Sequence, residues 1–510
     1  MQQCKEVLYN VSKSLYASTN NNVKSSIYRI IKMYIIATLY LLLFSGYTSP
    51  LFGNFMRYDS AIFMLVAKGI NAGKGLYIEI FDHKGPILFW IEALGMRAGR
   101  IGVFLIQTIF LTIDLQLSYK TANLFCEKEN DKYKALAAML LILAYPLANG
   151  NLSEEYSLPF VLLALYLFLV DMRGNEEPSF INSYIYGVCF AILAFIRINN
   201  AITICGIVLY WIIVLCKRKK YVLFIRHICT GIGGIITISL PISLYFGYKK
   251  SLYDMLYATF LFNIRYGSGS VFLNNFLNPN ILAHICILFF PLLVSALVFY
   301  TRIKGKSLLS ALEMILLLNV ISLLFGHGYN HYFTVAIPII LLMFIFSEKA
   351  ASGCRNHMIG QLAGIGVKLV IGIYVILAVR IVALNIYDYY VDGETYTEYN
   401  IVKESFEMIP NDERNSVLGY EIPAQYYLFG DTLPCYKYGI LQDHWSVNDP
   451  AIMEDFLSYI DHDKPRWILT EPDCQNEEFF EIMKGQYELV KTNDYICMYH
   501  LTEKEEQSND

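Results

Sequence analysis

Two polar stretches early in the chain combine carboxylates with a cation. Asp59 stands beyond the first apolar run, and Asp82-His83-Lys84 follows it after a turn rich in glycine. A carboxylate can accept a proton from a hydroxyl, and a lysine can supply positive charge to an anionic group. Ionisable residues near a membrane are costly and usually face a cavity. An ordinary solvated loop is the alternative, and composition alone gives both interpretations similar weight.

Two further polar stretches stand out, one with a pair of acids and the other with a single arginine. Glu154 and Glu155 lie in the segment 149–155, which contains no basic residue. They could be site carboxylates, or they could favour the start of a helix that Ser153 caps. Arg197 is the only cation in Arg197-Ile198-Asn199-Asn200, between two apolar runs. It could meet a bound phosphate or pair with the two acids.

The remaining candidates lie at the edges of apolar runs. Residues 326–333 are rich in histidine and tyrosine and include Tyr329 and His331. These side chains could line a site, or they could belong to the aromatic belt that membrane proteins place at the lipid interface. Arg100, at the start of the second apolar span, could contact a phosphate or extend to the lipid headgroups.

These candidates are positioned by a strongly apolar chain. Of its 510 residues, 55% are hydrophobic and 16% are charged, and the mean hydropathy is +0.42. A soluble protein carries about 25% charged residues. The chain is therefore predicted to be a polytopic α-helical membrane protein, and a disordered chain, a coiled coil and a disulfide-rich secreted domain are excluded.

Eleven spans are predicted, because a helix needs about 20 apolar residues to cross the bilayer. They cover residues 29–47, 101–122, 135–150, 156–172, 181–197, 199–216, 222–247, 280–300, 307–326, 332–348 and 361–388. Residues 86–99 are left out, since the segment is short and contains Glu92 and Arg97. A helix that lies along the interface suits this segment better.

The lysine and arginine content of alternate loops predicts the orientation. Basic residues concentrate in segments such as 217–220 and 302–306, whereas 149–155 and 327–331 contain none. This places residues 1–28 in the cytoplasm, a membrane domain at 29–388 and a first extracytoplasmic loop at 48–100. All the polar clusters then fall on the extracytoplasmic side, although the charge count did not use them.

From Tyr387 onward the composition becomes acidic, with frequent Pro, Asn and Asp. Short alternating stretches at 416–420, 466–470 and 495–501 predict strands, and 451–460 and 477–483 predict helices. We therefore expect a small extracytoplasmic α/β domain at 389–502, followed by a polar tail at 503–510.

Few signals point to cofactors or macromolecular partners. The 11 cysteines form no CxxC pair and no zinc or haem spacing. No P-loop or glycine-rich nucleotide motif occurs. The net charge of −4 offers no basic field to nucleic acid.

The run from Asp59 to Pro86 resembles the first extracytoplasmic loop of GT-C glycosyltransferases. It is most similar to the protein O-mannosyltransferase and aminoarabinose transferase group, with its bacterial RgtA-to-D-like relatives. Those enzymes carry an Asp just after the first span and a Tyr-x-(2–4)-Asp-x-Lys-Pro-like motif further on. Here the second motif reads Tyr77…Asp82-His83-Lys84-Gly85-Pro86. The chain departs from the pattern at Gly85, where many relatives have Pro, and at Ser60, where many have Glu.

The resemblance implies a polyprenyl-phosphate sugar donor, an extracytoplasmic acceptor and a site within the bilayer's outer face. It implies that Asp59 is the base that deprotonates the acceptor and that Lys84 contacts the donor phosphate. Arg100, Tyr329 and His331 are the further donor-site candidates, and Asp82, Glu154, Glu155 and Arg197 are the candidates for the acceptor or acidic part of the site. No cofactor is certain; a divalent metal is left open, with His83 as its weak candidate ligand.

The sequence thus predicts a multi-pass plasma-membrane glycosyltransferase of hexosyl or pentosyl type, with inversion at the sugar. Its acceptor would be a cell-envelope glycan, a lipid or a protein. A transporter of lipid-linked oligosaccharide or lipid, and a polymerase or ligase of lipid-linked glycans, are the alternatives. A transporter is expected to carry interrupted helices or charges near the membrane midplane. Most ionisable residues here lie near the faces instead, with Asp114 as the main exception.

Overall fold

The computed structural model describes residues 24–147, 149–174, 177–268, 278, 282, 306–324, 329–353 and 358–502. Over these residues the chain is mainly helical, with a small sheet towards its C-terminal end. The helices before residue 387 are α1 (Lys24–Phe44), α2 (Tyr58–Asn71), α3 (Pro86–Met96), α4 (Gly99–Phe125), α5 (Glu129–Ala144), α6 (Ser153–Arg173), α7 (Phe180–Arg197), α8 (Ile202–Lys217), α9 (Tyr221–Tyr248), α10 (Leu252–Leu256), α11 (Phe262–Ser268), α12 (Lys306–Leu324), α13 (Ile337–Gly353) and α14 (Met358–Ile386).

Eight helical segments of the described chain are long and apolar enough to cross a membrane. One of them, Phe180–Lys217, comprises α7 and α8 joined by a short 3₁₀ turn, so it contains two of the predicted spans. The predicted span at 135–150 corresponds to α5, which has 16 residues. The predicted span at 280–300 lies almost wholly outside the described residues. The prediction of a polytopic helical membrane protein is confirmed.

Helices α7 and α9 pack at very short distance, because glycines remove the side chains between them. A Cβ atom on Gly187 would lie 1.9 Å from the carbonyl oxygen of Gly231, and one on Gly234 would lie 2.1 Å from that of Tyr184. Small residues of this kind let membrane helices approach closely. The contact fixes α7, whose last residue is Arg197.

The segment between α1 and α4 contains two helices, of 14 and 11 residues, that are too short to cross a membrane. Helix α3 has 11 residues, which at 1.5 Å per residue is too short to span a bilayer. Helix α2 is buried from Ser60 to Ala67 rather than exposed along one face. The Asn71 side chain donates a hydrogen bond to the Ala93 carbonyl at 2.8 Å, which ties the end of α2 to α3.

The C-terminal part is a small α/β unit, as predicted. Its helices are α15 (Glu394–Glu407), α16 (Ala424–Phe429), α17 (Gln442–Ser446), α18 (Ala451–Asp463) and α19 (Glu477–Met483), and its strands are β1 (Val417–Tyr420), β2 (Trp467–Thr470), β3 (Tyr487–Thr492) and β4 (Cys497–Leu501). The sheet order is β1-β2-β4-β3, in which only β1 and β2 run parallel. The sequence did not predict β3, because it is a largely exposed edge strand without a buried apolar face.

The C-terminal unit rests directly on the α2–α3 segment. A single apolar core includes residues of α2 and α3 together with residues of the sheet and its helices. Arg57 pairs with Glu398 at 2.8 Å, Lys68 pairs with Asp431 at 2.7 Å, and the Phe81 amide donates to the Lys437 carbonyl at 3.1 Å. We call the end of the helix bundle that carries both parts the domain end.

Candidate active site

A cavity of 560 Å³ opens at the domain end, between the helix bundle, the α2–α3 segment and the C-terminal unit. Parts of the chain that lie far apart in sequence meet there. Its described lining residues are Tyr47, Tyr58, Asp59, Ser60, Ile62, Asp82, His83, Lys84, Asn149, Leu152, Arg197, Tyr329, His331, Tyr332, Leu441, His444 and Trp445.

Asp59 and Lys84 meet in the wall of this cavity. The Lys84 ammonium lies 3.7 Å from one Asp59 carboxylate oxygen. The Lys84 side chain is only 7% exposed, whereas that of Asp59 is 30% exposed and open to the cavity. The two polar stretches that the sequence separates are therefore one charged pair in the folded chain.

Asp82 and His83 hold Lys84 in place. The Asp82 carboxylate accepts the Lys84 backbone amide at 2.8 Å and lies 3.8 Å from its ammonium. One ring nitrogen of His83, Nδ1, faces the side-chain oxygen of Asn263 at 2.8 Å, so Nδ1 is the donor. The other, Nε2, is then free of a proton and accepts from the Lys84 ammonium at 3.2 Å.

The charges around Asp59 favour its ionised form. Burial would raise the pKa of the Asp59 carboxyl, but the positive charges of Lys84, His331 and Arg197 outweigh it, and the pKa lies below its ordinary value. Burial raises the pKa of Asp82 despite Lys84. Burial, and then Lys84, hold the pKa of His83 well below its usual range, in agreement with a neutral ring.

The backbone around Gly85 explains how this motif reaches the cavity. The Gly85 amide donates to the Ile196 carbonyl at 3.0 Å, and a Cβ atom at Gly85 would lie 2.1 Å from the Phe195 carbonyl oxygen. A residue with a side chain does not fit there without displacement of the end of α7. The Tyr77 hydroxyl also donates to the Lys84 carbonyl, at 2.8 Å. Gly85, which stands where many relatives have Pro, is thus the residue in close backbone contact with the end of α7.

Arg197 brings a second positive charge to the cavity. Its guanidinium donates to Glu154 at 2.9 Å and to the Tyr332 hydroxyl at 2.6 Å. Tyr329 and His331 stand on the same wall, with their rings stacked at 5.5 Å. Glu154 is buried behind Arg197 and is not among the described lining residues.

Arg100 and Glu155, like Glu154, are predicted site residues that are not brought to the cavity. Arg100 donates to the Phe52 carbonyl at 2.5 Å. Glu155 accepts from the Gln107 side chain and from the Leu152 amide, each at 2.9 Å. Neither Arg100 nor Glu155 is among the described lining residues. Both acids of the Glu154-Glu155 pair begin α6, but they point into different surroundings.

The described residues contain no group of three or more His, Cys, Asp or Glu side chains that could hold a metal ion. His83, the weak metal candidate, instead faces Asn263 and Lys84. The structure therefore brings no ligand set around His83.

Several lining residues carry no signal that the sequence could have revealed. Leu441, His444 and Trp445 come from α17 and the residue before it, in a unit without any catalytic motif. Tyr332 lies in the histidine- and tyrosine-rich stretch but was not singled out, since 40 tyrosines make any one of them uninformative. Tyr58 and Ser60 flank the proposed base, and only that adjacency could have suggested them.

Comparisons with known proteins place the fold. No protein-family model matches the chain, and no curated protein matches its sequence. Two solved structures of ArnT from Cupriavidus metallidurans, one bound to undecaprenyl phosphate and one in the apo state, are each 12% identical to the chain. Each match covers 92% of this chain and 97% of the ArnT chain, with a TM-score of 0.58. The chain has the ArnT fold.

The ArnT fold extends over the C-terminal unit as well as the helices, since the match covers nearly the whole of both chains. ArnT is an aminoarabinose transferase of the GT-C class. The structural match therefore agrees with the resemblance that the Asp59 and Asp82-His83-Lys84 motifs suggested. At 12% identity the match establishes the fold, and the chemistry must be argued from the site.

Proposed function

We propose that the chain is a glycosyltransferase that moves a sugar from a polyprenyl-phosphate donor to an acceptor hydroxyl on the extracytoplasmic face of the plasma membrane. The observation that carries this proposal is the Asp59–Lys84 pair in the wall of a large cavity. A carboxylate to take a proton and a cation to receive a phosphate are the two groups that the reaction needs. The ArnT chain of the same fold has been solved with undecaprenyl phosphate bound.

In the proposed reaction the acceptor oxygen attacks the anomeric carbon of the donor sugar. Asp59 takes the hydroxyl proton as the new carbon–oxygen bond forms. The bond from the anomeric carbon to the phosphate oxygen breaks, and its electron pair leaves with the polyprenyl phosphate. Attack from the side opposite the phosphate inverts the anomeric centre.

Lys84 is proposed to receive the phosphate charge that develops on the leaving group. Arg197 is the second cation of the cavity and takes the place that the sequence had given to Arg100. Glu154 holds the Arg197 guanidinium from behind, and Tyr329 and His331 complete the donor side. Asp82 and His83 keep the Lys84 side chain aimed at the cavity.

The same contact couples donor binding to the activity of the base. Before the donor binds, Lys84 neutralises part of the Asp59 charge and lowers its basicity. A phosphate beside Lys84 brings negative charge that opposes this effect. Asp59 therefore becomes a stronger base once the donor is in place, when the acceptor proton must be removed.

A transfer assay tests the proposal. Purified protein in nanodiscs is mixed with a panel of undecaprenyl-phosphate sugars and with membranes from source cells that lack the chain. One labelled donor should lose its sugar to the membranes and release undecaprenyl phosphate. Asp59→Asn keeps the shape of the side chain and removes its basicity, so transfer should fall by about 10²–10⁴-fold. Undecaprenyl phosphate should still bind to this variant.

Asp412→Asn is the matched control, because Asp412 is an exposed carboxylate of the C-terminal unit. It should transfer sugar at the wild-type rate. A near-normal rate in Asp59→Asn would remove Asp59 from the role of base. Consumption of none of the donors by the wild-type protein would contradict the proposed function itself.

A further inference from the structure

The residue before the proposed base adopts an unusual backbone conformation. Tyr58 has a φ of +51°, in the left-handed region. For a residue with a bulky side chain this conformation is an outlier, because the Cβ atom approaches the backbone too closely. Such strain persists only where something else compensates for it.

Burial of the Tyr58 ring does not provide that compensation. The residue is 73% exposed. Its ring meets the buried ring of Tyr47 edge-on, with centroids 6.3 Å apart. One edge of the Tyr58 ring is therefore supported while most of it stays open, in the wall of the cavity that holds Asp59 and Lys84.

The other aromatic rings of the described cavity wall are already engaged. Tyr329 is stacked on His331, and Tyr332 lies under the Arg197 guanidinium at 4.3 Å. Trp445 is buried, with its edge against Phe81. Among the tyrosine and tryptophan residues of the described lining, Tyr58 is the most exposed, at 73% against 48% for Tyr329, and it stands beside the proposed base.

A sugar ring carries a face of C–H groups that packs well against an aromatic ring. In the proposed transfer the anomeric carbon must lie between Asp59 and the phosphate held by Lys84, so the sugar occupies the space next to Asp59. We propose that Tyr58 is the platform on which the donor's sugar ring rests during transfer. This inference rests on the proposed function, and it names a residue that contacts the sugar of the donor rather than its lipid.

Two variants separate the ring from the backbone conformation. Tyr58→Asn removes the ring but keeps the left-handed backbone, since Asn tolerates this region better than other residues with a side chain. Tyr58→Phe keeps the ring and removes only the hydroxyl. Tyr248→Asn is the control, because Tyr248 is an 85% exposed tyrosine at the end of α9 that does not line the cavity.

The measurement is lipid affinity in nanodiscs, by competition against radiolabelled undecaprenyl phosphate. The competitors are undecaprenyl phosphate itself and undecaprenyl phosphate carrying glucose, mannose, galactose or arabinose. Tyr58→Asn should weaken binding of the preferred sugar-bearing lipid by about three- to tenfold, as expected for loss of one aromatic contact. Its affinity for undecaprenyl phosphate should not change, and Tyr58→Phe and Tyr248→Asn should behave as wild type.

An equal loss of affinity for the lipids with and without sugar would overturn the proposal, since Tyr58 would then serve the lipid or the loop. Unchanged affinities in Tyr58→Asn, or the same sugar-specific loss in Tyr248→Asn, would overturn it too. These outcomes leave the proposed function standing. Failure of the wild-type protein to bind any of the five lipids would instead remove the proposed function.

Discussion

The charge on Asp59 is governed by residues that are distant in sequence. Burial opposes its ionisation, and Lys84, His331 and Arg197 together reverse that effect. The Lys84 ammonium lies 3.7 Å from the Asp59 carboxylate, within ion-pair distance. The proposed base and the proposed phosphate-binding cation are thus one electrostatic unit, and a change in either alters the other.

Lys84→Met should shift the pH profile as well as weaken donor binding. Without the ammonium the pKa of Asp59 rises, so the acid limb of the kcat/KM profile moves to higher pH, because kcat/KM reports ionisation in the free enzyme. Donor affinity should also fall, since a bound phosphate loses its counter-charge, by about tenfold or more. Lys84→Arg should restore part of the donor affinity and move the acid limb part of the way back towards the wild-type pH. If the acid limb of Lys84→Met stayed at the wild-type pH, Lys84 would not influence the pKa of the catalytic carboxyl that we assign to Asp59.

Glu92 on α3 should make the stability of the protein depend on pH. It is 1% exposed, and burial raises its pKa to about 8, with Tyr156 and Asn151 lowering it only in part. Between the unfolded value near 4.5 and pH 8 the folded state holds the extra proton, so stability falls as pH rises across this window. Glu92→Gln should remove the part of that slope that comes from Glu92.

Thermal unfolding at pH 5 and pH 8 measures the effect. Glu92→Gln should match the wild-type Tm at pH 5 and exceed it at pH 8. Glu478→Gln, at an exposed position of α19, is the control and should follow the wild type. If the Tm difference between the two pH values were as large in Glu92→Gln as in the wild type, Glu92 would not contribute to the slope.

Among the structural elements, the junction of α3 with α7 decides the position of the Asp82-His83-Lys84 motif. Gly85-Pro86 begins α3, with Pro86 at its first turn, where its missing amide hydrogen costs nothing. Gly85 lies against the backbone at the end of α7, two residues before Arg197. The motif that carries Lys84 and the helix that carries Arg197 are therefore held at a fixed separation.

Gly85→Ala should displace that junction. The added methyl would come within 2.1 Å of the Phe195 carbonyl oxygen, so one of the two backbones must move. A shift of about 1 Å in a catalytic group can cost on the order of a hundredfold in rate. We expect sugar transfer to fall by at least about tenfold, together with a lower Tm.

Gly372→Ala provides the comparison, because a Cβ atom at Gly372 in α14 meets nothing within 4 Å. Alanine is favoured over glycine in a helix by up to about 1 kcal/mol, so this variant should be as stable as the wild type or more so. Equal activity and stability in Gly85→Ala and Gly372→Ala would contradict a close contact at Gly85.

For the whole molecule, the end of the helix bundle away from the domain end is rich in lysine. The domain end carries the cavity and the C-terminal unit. Lys128, Lys134, Lys349 and Lys368 line a 940 Å³ cavity formed by the far end of α4, the start of α5, α13 and α14, together with the acids Glu127, Asp131 and Glu348. Since basic loops remain in the cytoplasm, the lysine-rich end should face inward and the domain end outward.

Cysteine labelling in intact cells with a reagent that cannot cross the membrane tests this orientation. A cysteine at Val447, which is 83% exposed in the C-terminal unit, should react. A cysteine at Lys219, exposed between α8 and α9, should react only after the membrane is permeabilised. Labelling is read against the native cysteines of the parent chain, and the reverse pattern would place the cavity on the cytoplasmic side.

The sequence by itself determined the features that depend on local composition and spacing. Long apolar runs can be stable only within lipid or within a large core, so the membrane helices were predictable. Three of the four strands followed from their alternating pattern, whereas β3 was missed because its side chains are exposed. Asp59 and Lys84 stood out because charged residues beside membrane spans are costly.

Only the tertiary structure decided which of the polar residues share a site. Glu154 and Glu155 are adjacent in sequence, yet one holds Arg197 in the cavity wall and the other bonds to Gln107 away from it. His444 reaches the cavity from a unit without a catalytic motif, through the packing of that unit on α2. Such contacts join residues from about 40 to several hundred positions apart, and they depend on how helices pack rather than on any pattern along the chain.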